Sequence, residues 1–275
     1  MVSSDFIFFD KVYGLASLDK YHLCDAQLLS GRTLGLPPLR ERFFGILLRK
    51  DIYPPEATKM VEEALAVLKR EPLRQVPLST YFSGGSFELD FQSKRRRKDM
   101  MPEDALEKSQ KVRNKNGFPR YGKLGAHPFS TTAPLEMLQH LTLREQDCID
   151  LAMLMVMKKT GTDVIPEQFI CDASQSPDRA TWRVNGSIPS PTTTTRLVMQ
   201  TGIVDCVTLF NMMGWPCNEV NVDYVQTEKE WRTLVGNMIC PPVFGALMGA
   251  LLSVQDVRPE LSFKGCTCMS HESHE

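Results

Sequence analysis

The segment RFFGILLRKDIYPPEATKMVEEALAVLKRE, residues 42–71, restricts the fold more than any other part of the chain. Arg42 to Ile52 contains a continuous apolar run closed by charge, the pattern of a strand buried on both faces of a mixed or parallel sheet. Pro54 and Pro55 then open a helix. In it Met60, Val61, Ala64, Leu65 and Leu68 fall on one face, and Lys69 and Arg70 occupy the last turn, where the helix dipole favours cations. A buried strand followed by a covering helix is an α/β signature, so the predicted fold class is α/β.

With 275 residues, 42% hydrophobic and 24% charged, the chain can bury one large core or two smaller ones. Its net charge of −1 supplies no global field toward nucleic acid or an acidic membrane, so any such binding must come from a local patch. Positive charge is concentrated between Pro72 and Phe129, where periodic apolar positions are few. KRRRK (Lys94, Arg95, Arg96, Arg97, Lys98) is followed by Lys108, Lys111, Arg113, Lys115, Arg120 and Lys123, against Asp99, Glu103, Asp104 and Glu107. A solvated loop, a phosphate-contacting surface and a nuclear-import signal all fit such a run.

The eight cysteines are scattered, mostly among apolar neighbours, which favours a reduced, intracellular protein. The run Phe6 to Phe9 is too short for the core of a signal peptide and reads as a buried strand. The longest apolar stretch, Ile239 to Val254, falls short of the roughly 18 to 20 residues of a membrane span, so no membrane partner is expected.

Thr142 and Glu145 have capping-box spacing, and the helix they start is predicted to run to Gly161 with Lys158 and Lys159 in its last turn. Its methionines read as core filling. RVNGSIPSPTTTTRLV, Arg183 to Val198, has Asn-Gly and Ser-Pro turns followed by β-branched threonines, which predicts irregular strands and loops. PPVFGALMGALL, Pro241 to Leu252, is apolar all round and predicts a short buried helix, whose Gly245 and Gly249 would let another element approach closely. There is no internal repeat, sustained heptad, GxGxxG or P-loop.

Two stretches could carry chemistry. In GLPPLRER, Arg40 and Arg42 lie two apart in an extended segment and share a face. They suit either surface ion pairs or a phosphate or planar base edge. In LVGNMICPP, Gly236 and Asn237 precede a Pro-started helix. They form either a turn or a place where amides face a polar ligand at a helix N-terminus.

The order GLPPLRER, RVNGSIPSPTTTTR, MMGWP, LVGNMICPPVFGALMGALL resembles the C-terminal half of the cytosine-5 DNA methyltransferases. There a Gly-x-Pro-Gln-x-Arg-x-Arg segment is followed by a variable target-recognition domain, a Gln-Gly-Phe-Pro return turn, and Gly-Asn-x-Val-x-Pro-Pro opening the last helix. The resemblance covers most of the chain in order, but between about Pro72 and Cys171 it rests on position and basic character.

The implied fold is the C-terminal portion of a Rossmann-like, S-adenosylmethionine-dependent methyltransferase with a smaller, irregular target-recognition domain. Residues 1–72 would end the catalytic α/β domain, 73–200 form the recognition domain, 201–263 return to the catalytic domain, and 264–275 form a disordered tail. The implied activity transfers a methyl group from S-adenosylmethionine to C5 of a cytosine flipped out of double-stranded DNA, because the attacked carbon is inaccessible inside the stack.

By the resemblance, Arg42 contacts the flipped base and Arg40 supports the site and the DNA backbone, while Asn237 and Met238 lie beside the amino-acid end of the cofactor. DNA contacts are implied for Lys94, Arg95, Arg96, Arg97, Lys98, Arg183, Thr193 and Thr194. Pro38, Met213 and Met238 depart from the family's glutamine, glutamine and small residue.

The family's catalytic Pro-Cys lies upstream of the arginine pair. Pro216 and Cys217 lie downstream, in the place of the return turn, which makes Cys217 structural. No Phe-x-Gly-x-Gly, Pro-Cys-Gln or Glu-Asn-Val segment precedes Gly35. The expectation is a family fragment, inactive alone, that needs the missing N-terminal catalytic half or a partner subunit. The alternative is a non-catalytic DNA-binding or regulatory homologue using the basic segment from Lys94 to Lys123 for phosphate contacts. The basic run fits a nuclear location, and a related branch of the family modifies transfer RNA. The tail residues Cys266, Cys268, His271 and His274 do not match the usual zinc spacings, so no metal site is expected.

Overall fold

The computed structural model describes residues 6–9, 18–24, 27–70, 73–82, 100–179, 181–200, 202–216 and 227–254. The basic cluster Lys94, Arg95, Arg96, Arg97 and Lys98, Cys217, and the tail cysteines and histidines lie outside these residues. The chain divides into two compact units, one drawn from residues 1–28, 42–70 and 245–275, the other from 29–41 and 71–244.

The first unit is built on an antiparallel sheet. Strands β1 (Phe6–Phe9) and β2 (Tyr21–Leu23) flank β4 (Arg42–Arg49), and β3 (Gln27–Leu29) also pairs with β4. Phe6 faces Leu48 across one antiparallel ladder, and Tyr21 faces Arg49 across the other. Residues 44–48 of β4 are all buried, as the apolar run requires. The direction differs from the mixed or parallel sheet expected, because burial on both faces erases the alternation that normally marks an antiparallel strand. Helix α1 (Glu56–Arg70) starts directly after Pro54 and Pro55 and buries Ala57, Val61 and Leu65 along one stripe. Met60 lies off that stripe and is exposed, unlike its predicted place on the buried face.

The second unit is mainly helical around a small sheet. Its helices are α2 (Ser79–Phe82), α3 (Glu103–Asn116), α4 (Pro128–Thr132), α5 (Leu135–Gln139), α6 (Leu143–Thr160), α7 (Cys206–Met212) and α8 (Glu228–Asn237). Its sheet has the order β6 (Trp182–Arg183), β5 (Ile170–Asp172), β7 (Leu197–Met199), β8 (Gly202–Ile203), with every pair antiparallel. Alternation along two strands separates two cores. Ile170, Leu197 and Met199 pack with Phe210, Trp231 and Val235, whereas Cys171 and Val198 pack with Phe129, Ile149 and Phe169. The fold is therefore mixed helix and sheet.

Helix α6 follows its end signals. Thr142 accepts from the Glu145 N–H, Glu145 reaches back to Thr142, and Gly161 closes the helix at φ 69°. Helix α3 lies in the segment read as poor in periodic structure. Its apolar face is thin, but Glu103 and Asp104 open it, Arg113 and Lys115 lie in its last turn, and Gly117 ends it at φ 72°.

Helix α9 (Pro241–Leu252) contains the boundary between the units at Phe244 and Gly245. It is not buried all round: Val243, Leu247, Ala250 and Leu251 are buried, while Phe244 and Leu252 are exposed. No described atom lies within 4 Å of where a Cβ would sit on Gly245 or Gly249, so the close approach expected there does not occur among the described residues. Lys229–Leu252 is long and apolar enough by composition to span a bilayer, with a mean hydropathy of 1.6 over its most apolar 18 residues. It is nevertheless two helices, α8 and α9, broken at residues 238–240, and Trp231 and Val235 of α8 are buried in the core.

Candidate functional site

Parts of all four sequence segments that carry the resemblance, within residues 35–41, 183–196, 212–216 and 234–244, come together in the second unit. Pro38 forms a parallel bridge with Ile188, fixed by Leu39 N–H to Ile188 O at 3.2 Å and Ile188 N–H to Pro37 O at 2.9 Å. This joins GLPPLR to the threonine-rich segment. The return turn is tied in at Gly214, whose φ of 90° is easy only for glycine. A Cβ there would lie 2.8 Å from Pro242 Cδ and 3.0 Å from Leu36 Cδ1.

Arg40 fastens the junction. It is buried, and its guanidinium donates to Pro191 O at 3.2 Å, Val235 O at 3.1 Å and Gly236 O at 2.6 Å. The last two carbonyls end α8, where unsatisfied carbonyls carry the negative end of the dipole, so a cation is favoured twice over. The fork of Arg suits this task because it presents several donors in a fixed plane. Arg40 is therefore a buried residue and not one of the protein surface.

Gly236 lets the threonine turn rest directly on α8. A Cβ at this position would run into Thr193 N and approach Thr192 C to 2.6 Å. The turn itself is ordered by Asp172, fully buried at the end of β5. Its carboxylate accepts from Ser174 N–H and Oγ–H, Thr195 Oγ–H at 3.2 Å and Arg196 N–H at 3.0 Å. Sequence reading passes over Asp172, although an Asp two residues before a Ser is an Asx-turn signal.

Thr193 and Thr194 are exposed at the turn. Arg183 is half-buried in β6, where its Nη1 donates to Trp182 O at 2.6 Å. Arg42 opens β4 in the first unit, so the arginine pair is divided between the two units at residues 41 and 42. Asn237 is exposed as the last residue of α8, and the half-buried Met238 caps it, its N–H bonding Leu234 O at 2.8 Å.

The amide cradle expected at the start of α9 is not available. Pro241 and Pro242 have no N–H, the Phe244 N–H bonds Cys240 O at 3.1 Å, and the Val243 N–H is directed at the Cys240 thiol. Burial pushes that thiol up to about 11 despite the Val243 N–H, so Cys240 is an inert capping group.

Of the positive residues after KRRRK, Lys108, Lys111, Lys115, Arg120 and Lys123 are exposed, but Arg113 is not part of a surface patch. Its side chain is fully buried and pairs with Asp147 of α6, with further bonds to Ser109 Oγ, Pro119 O and Ala126 O. Nearby, Asp150 is fully buried and accepts from Phe129 N–H at 2.8 Å, Ser130 N–H at 3.0 Å, Ser130 Oγ–H at 2.7 Å and the His127 ring at 3.0 Å. The Gly122 N–H reaches His127 Nε2 at 3.1 Å. This imidazole therefore accepts at Nε2 and donates from Nδ1, a bridging role with neither nitrogen left for catalysis.

No group of three or more His, Cys, Asp or Glu positioned to hold a metal occurs among the described residues. No protein-family model matches the chain, and no curated protein matches it.

Proposed function

We propose that this chain is the base-contacting and DNA-reading part of a cytosine-5 DNA methyltransferase. Its finer fold would be the C-terminal portion of a Rossmann-like methyltransferase with a small recognition domain. The observation that supports this reading is the junction at Arg40: three of the four segments, up to 196 residues apart, meet around its buried guanidinium, and the fourth packs beside it through Gly214 against Leu36 and Pro242.

In this reading Arg42 engages the flipped cytosine, Arg40 holds the recognition turn in place, and Thr193, Thr194 and Arg183 contact the DNA. Extruding a base costs a few kcal/mol of stacking and pairing, which backbone contacts must offset. S-adenosylmethionine supplies the methyl group in this family. The described residues do not by themselves form its pocket: Asn237 offers one exposed amide, and the amides at the start of α9 are absent or occupied. The part assigned to this chain is accordingly binding and base positioning.

The test is fluorescence anisotropy with labelled duplexes that differ only in whether a cytosine is matched or mismatched. Tighter binding of the mismatched duplex is expected, since its cytosine is cheaper to extrude. Failure to bind any duplex at low salt overturns the DNA reading, and binding of transfer RNA alone would move the chain to the RNA-modifying branch. The non-catalytic alternative keeps the DNA binding but predicts no methyl incorporation even when the upstream catalytic segments are supplied.

A further inference from the structure

Beside the threonine turn lies a cavity of about 500 Å³, within the size range of small-ligand sites. Three cations line it, Arg144, Lys229 and Arg232, together with Ser174, Thr193 and Thr194. The three cations come from helices that flank the turn, and the sequence patterns nominate none of them.

Arg144 is the second residue of α6 and Lys229 the second of α8. Helix N-termini favour anions, so cations placed there oppose the dipole and add to its positive field. The glutamates of the same turns, Glu145 in α6 and Glu230 in α8, cap their own helices with Thr142 and Thr227. Glu145 is the carboxylate among the lining residues, but it is engaged elsewhere. It accepts from the Thr142 N–H at 2.8 Å and the Thr142 hydroxyl at 2.9 Å, and Arg196 lies 3.8 Å from its other oxygen. Among the described residues neither Arg144 nor Lys229 is ion-paired.

The walls are built to hold position. Arg144 Nη2 donates to Ser174 O at 3.1 Å and Gln175 O at 3.2 Å, which fixes the guanidinium and leaves other N–H groups for a ligand. Arg232 is 9% exposed, so its charge is felt in a poorly solvated setting. Thr193 is held by the close contact of its backbone with Gly236, and Lys229 and Thr194 stand exposed at the mouth. The remaining N–H groups of Arg144, the Lys229 ammonium and the Arg232 guanidinium border one small volume with Thr193 and Thr194, a lining that suits the tetrahedral oxygens of a phosphate.

We propose that this cavity binds a phosphate group and that its occupant is a backbone phosphate of the bound nucleic acid. The choice of occupant rests on the function proposed above. It extends that reading from the exposed threonines to Arg144, Lys229 and Arg232, and it makes the threonine turn one wall of a phosphate clamp.

Duplex binding by the full chain across a salt series tests both layers. Each phosphate that the protein no longer neutralises lowers the slope of log affinity against log salt by about one. Lys229→Gln and Arg144→Gln are expected to show that decrease, Arg144→Lys to recover the slope, and Lys59→Gln, at an exposed position of α1, to match wild type. Wild-type slopes in both glutamine variants overturn the site and leave the DNA reading standing. If wild type binds no duplex, the DNA reading and the backbone-phosphate occupant both fall. Inorganic phosphate, titrated against chloride of equal ionic strength while the Arg144 and Arg232 Nε resonances are followed, then decides whether the cavity takes free phosphate. Shifts abolished by Lys229→Gln would establish a free-phosphate site, and absence of shifts overturns the cavity as an anion site.

Discussion

Arg40 and Arg113 are both buried and both tie separate segments together, yet they do so at opposite ranges. The partners of Arg113 lie 4 to 34 residues away, and one of them is the carboxylate of Asp147. The carbonyls that accept from Arg40 lie 151 to 196 residues away. The α3–α6 region can therefore assemble from contacts close in sequence, whereas the Arg40 junction forms only after most of the second unit has folded. The first is a scaffold, and the second is where the candidate site is put together.

The largest effect should come from breaking the scaffold. Arg113→Met leaves the Asp147 carboxylate buried without its cation, and such half-removed pairs cost about 3–5 kcal/mol. Urea denaturation would measure it. Replacing both partners, Arg113→Met with Asp147→Leu, should recover most of the stability, because the desolvation penalty goes with the charges. If Arg113→Met costs under about 1 kcal/mol, the pair is not the scaffold's centre and the contrast with Arg40 fails.

This difference in range also explains what is legible in the sequence. The α6 capping box, the Gly161 stop and the start of α1 after Pro54 and Pro55 are local signals, and each is readable because its physics involves residues three or four apart. The sheet direction is not readable from β4, since a fully apolar strand looks the same beside either kind of neighbour. Nor is the role of Arg40: its acceptors are backbone carbonyls, which every residue type carries, so nothing in residues 191, 235 or 236 announces them. Parts of the four segments nonetheless lie against one another, Pro38 on Ile188, Arg40 on Pro191 and Gly236, and Gly214 beside Leu36 and Pro242. Arg113 is hidden for a related reason, because an arginine in a run of exposed lysines gives no sign that a buried aspartate 34 residues on will claim it.

A second, smaller break separates two glycines that look alike in sequence. Gly236→Ala forces the Thr192–Thr193 backbone off α8, and overpacking of this kind costs up to about 3 kcal/mol. Gly249→Ala, in a helix with no described atom within 4 Å of the new methyl, should be neutral or stabilising by up to about 1 kcal/mol. Thermal midpoints of the two variants give the comparison directly. Equal midpoints would mean that the threonine turn is not pressed against α8.

Arg40→Lys is a finer probe, because it keeps the charge and removes the fork. One ammonium cannot serve three carbonyls in the same plane, so at least one bond to a charged donor disappears, about 1.5 kcal/mol. The location of the effect matters more than its size. Amide exchange should quicken at the end of α8 and in residues 192–195 while α3 and α6 keep their protection. Uniform acceleration through α6 would show that the junction and the scaffold open as one unit.

The smallest effect is a pH dependence confined to the scaffold. Burial raises the Asp150 carboxyl above its ordinary value, although the bonds from Ser130 and His127 pull it back down. A raised native value means that the folded state holds this proton at a pH where the unfolded chain has released it. The stabilisation from this group is therefore complete below the unfolded value and lost as pH rises through the native one. Asp150→Asn removes the titration and keeps an acceptor for the Phe129 or Ser130 N–H. The difference in urea midpoint between wild type and this variant should then shift toward the variant as pH rises from below the ordinary aspartate value. A difference that is flat, or that moves toward wild type, would mean that the Phe129, Ser130 and His127 donors outweigh burial. Asp150 would then stabilise the scaffold as a charge, as Asp147 does beside Arg113.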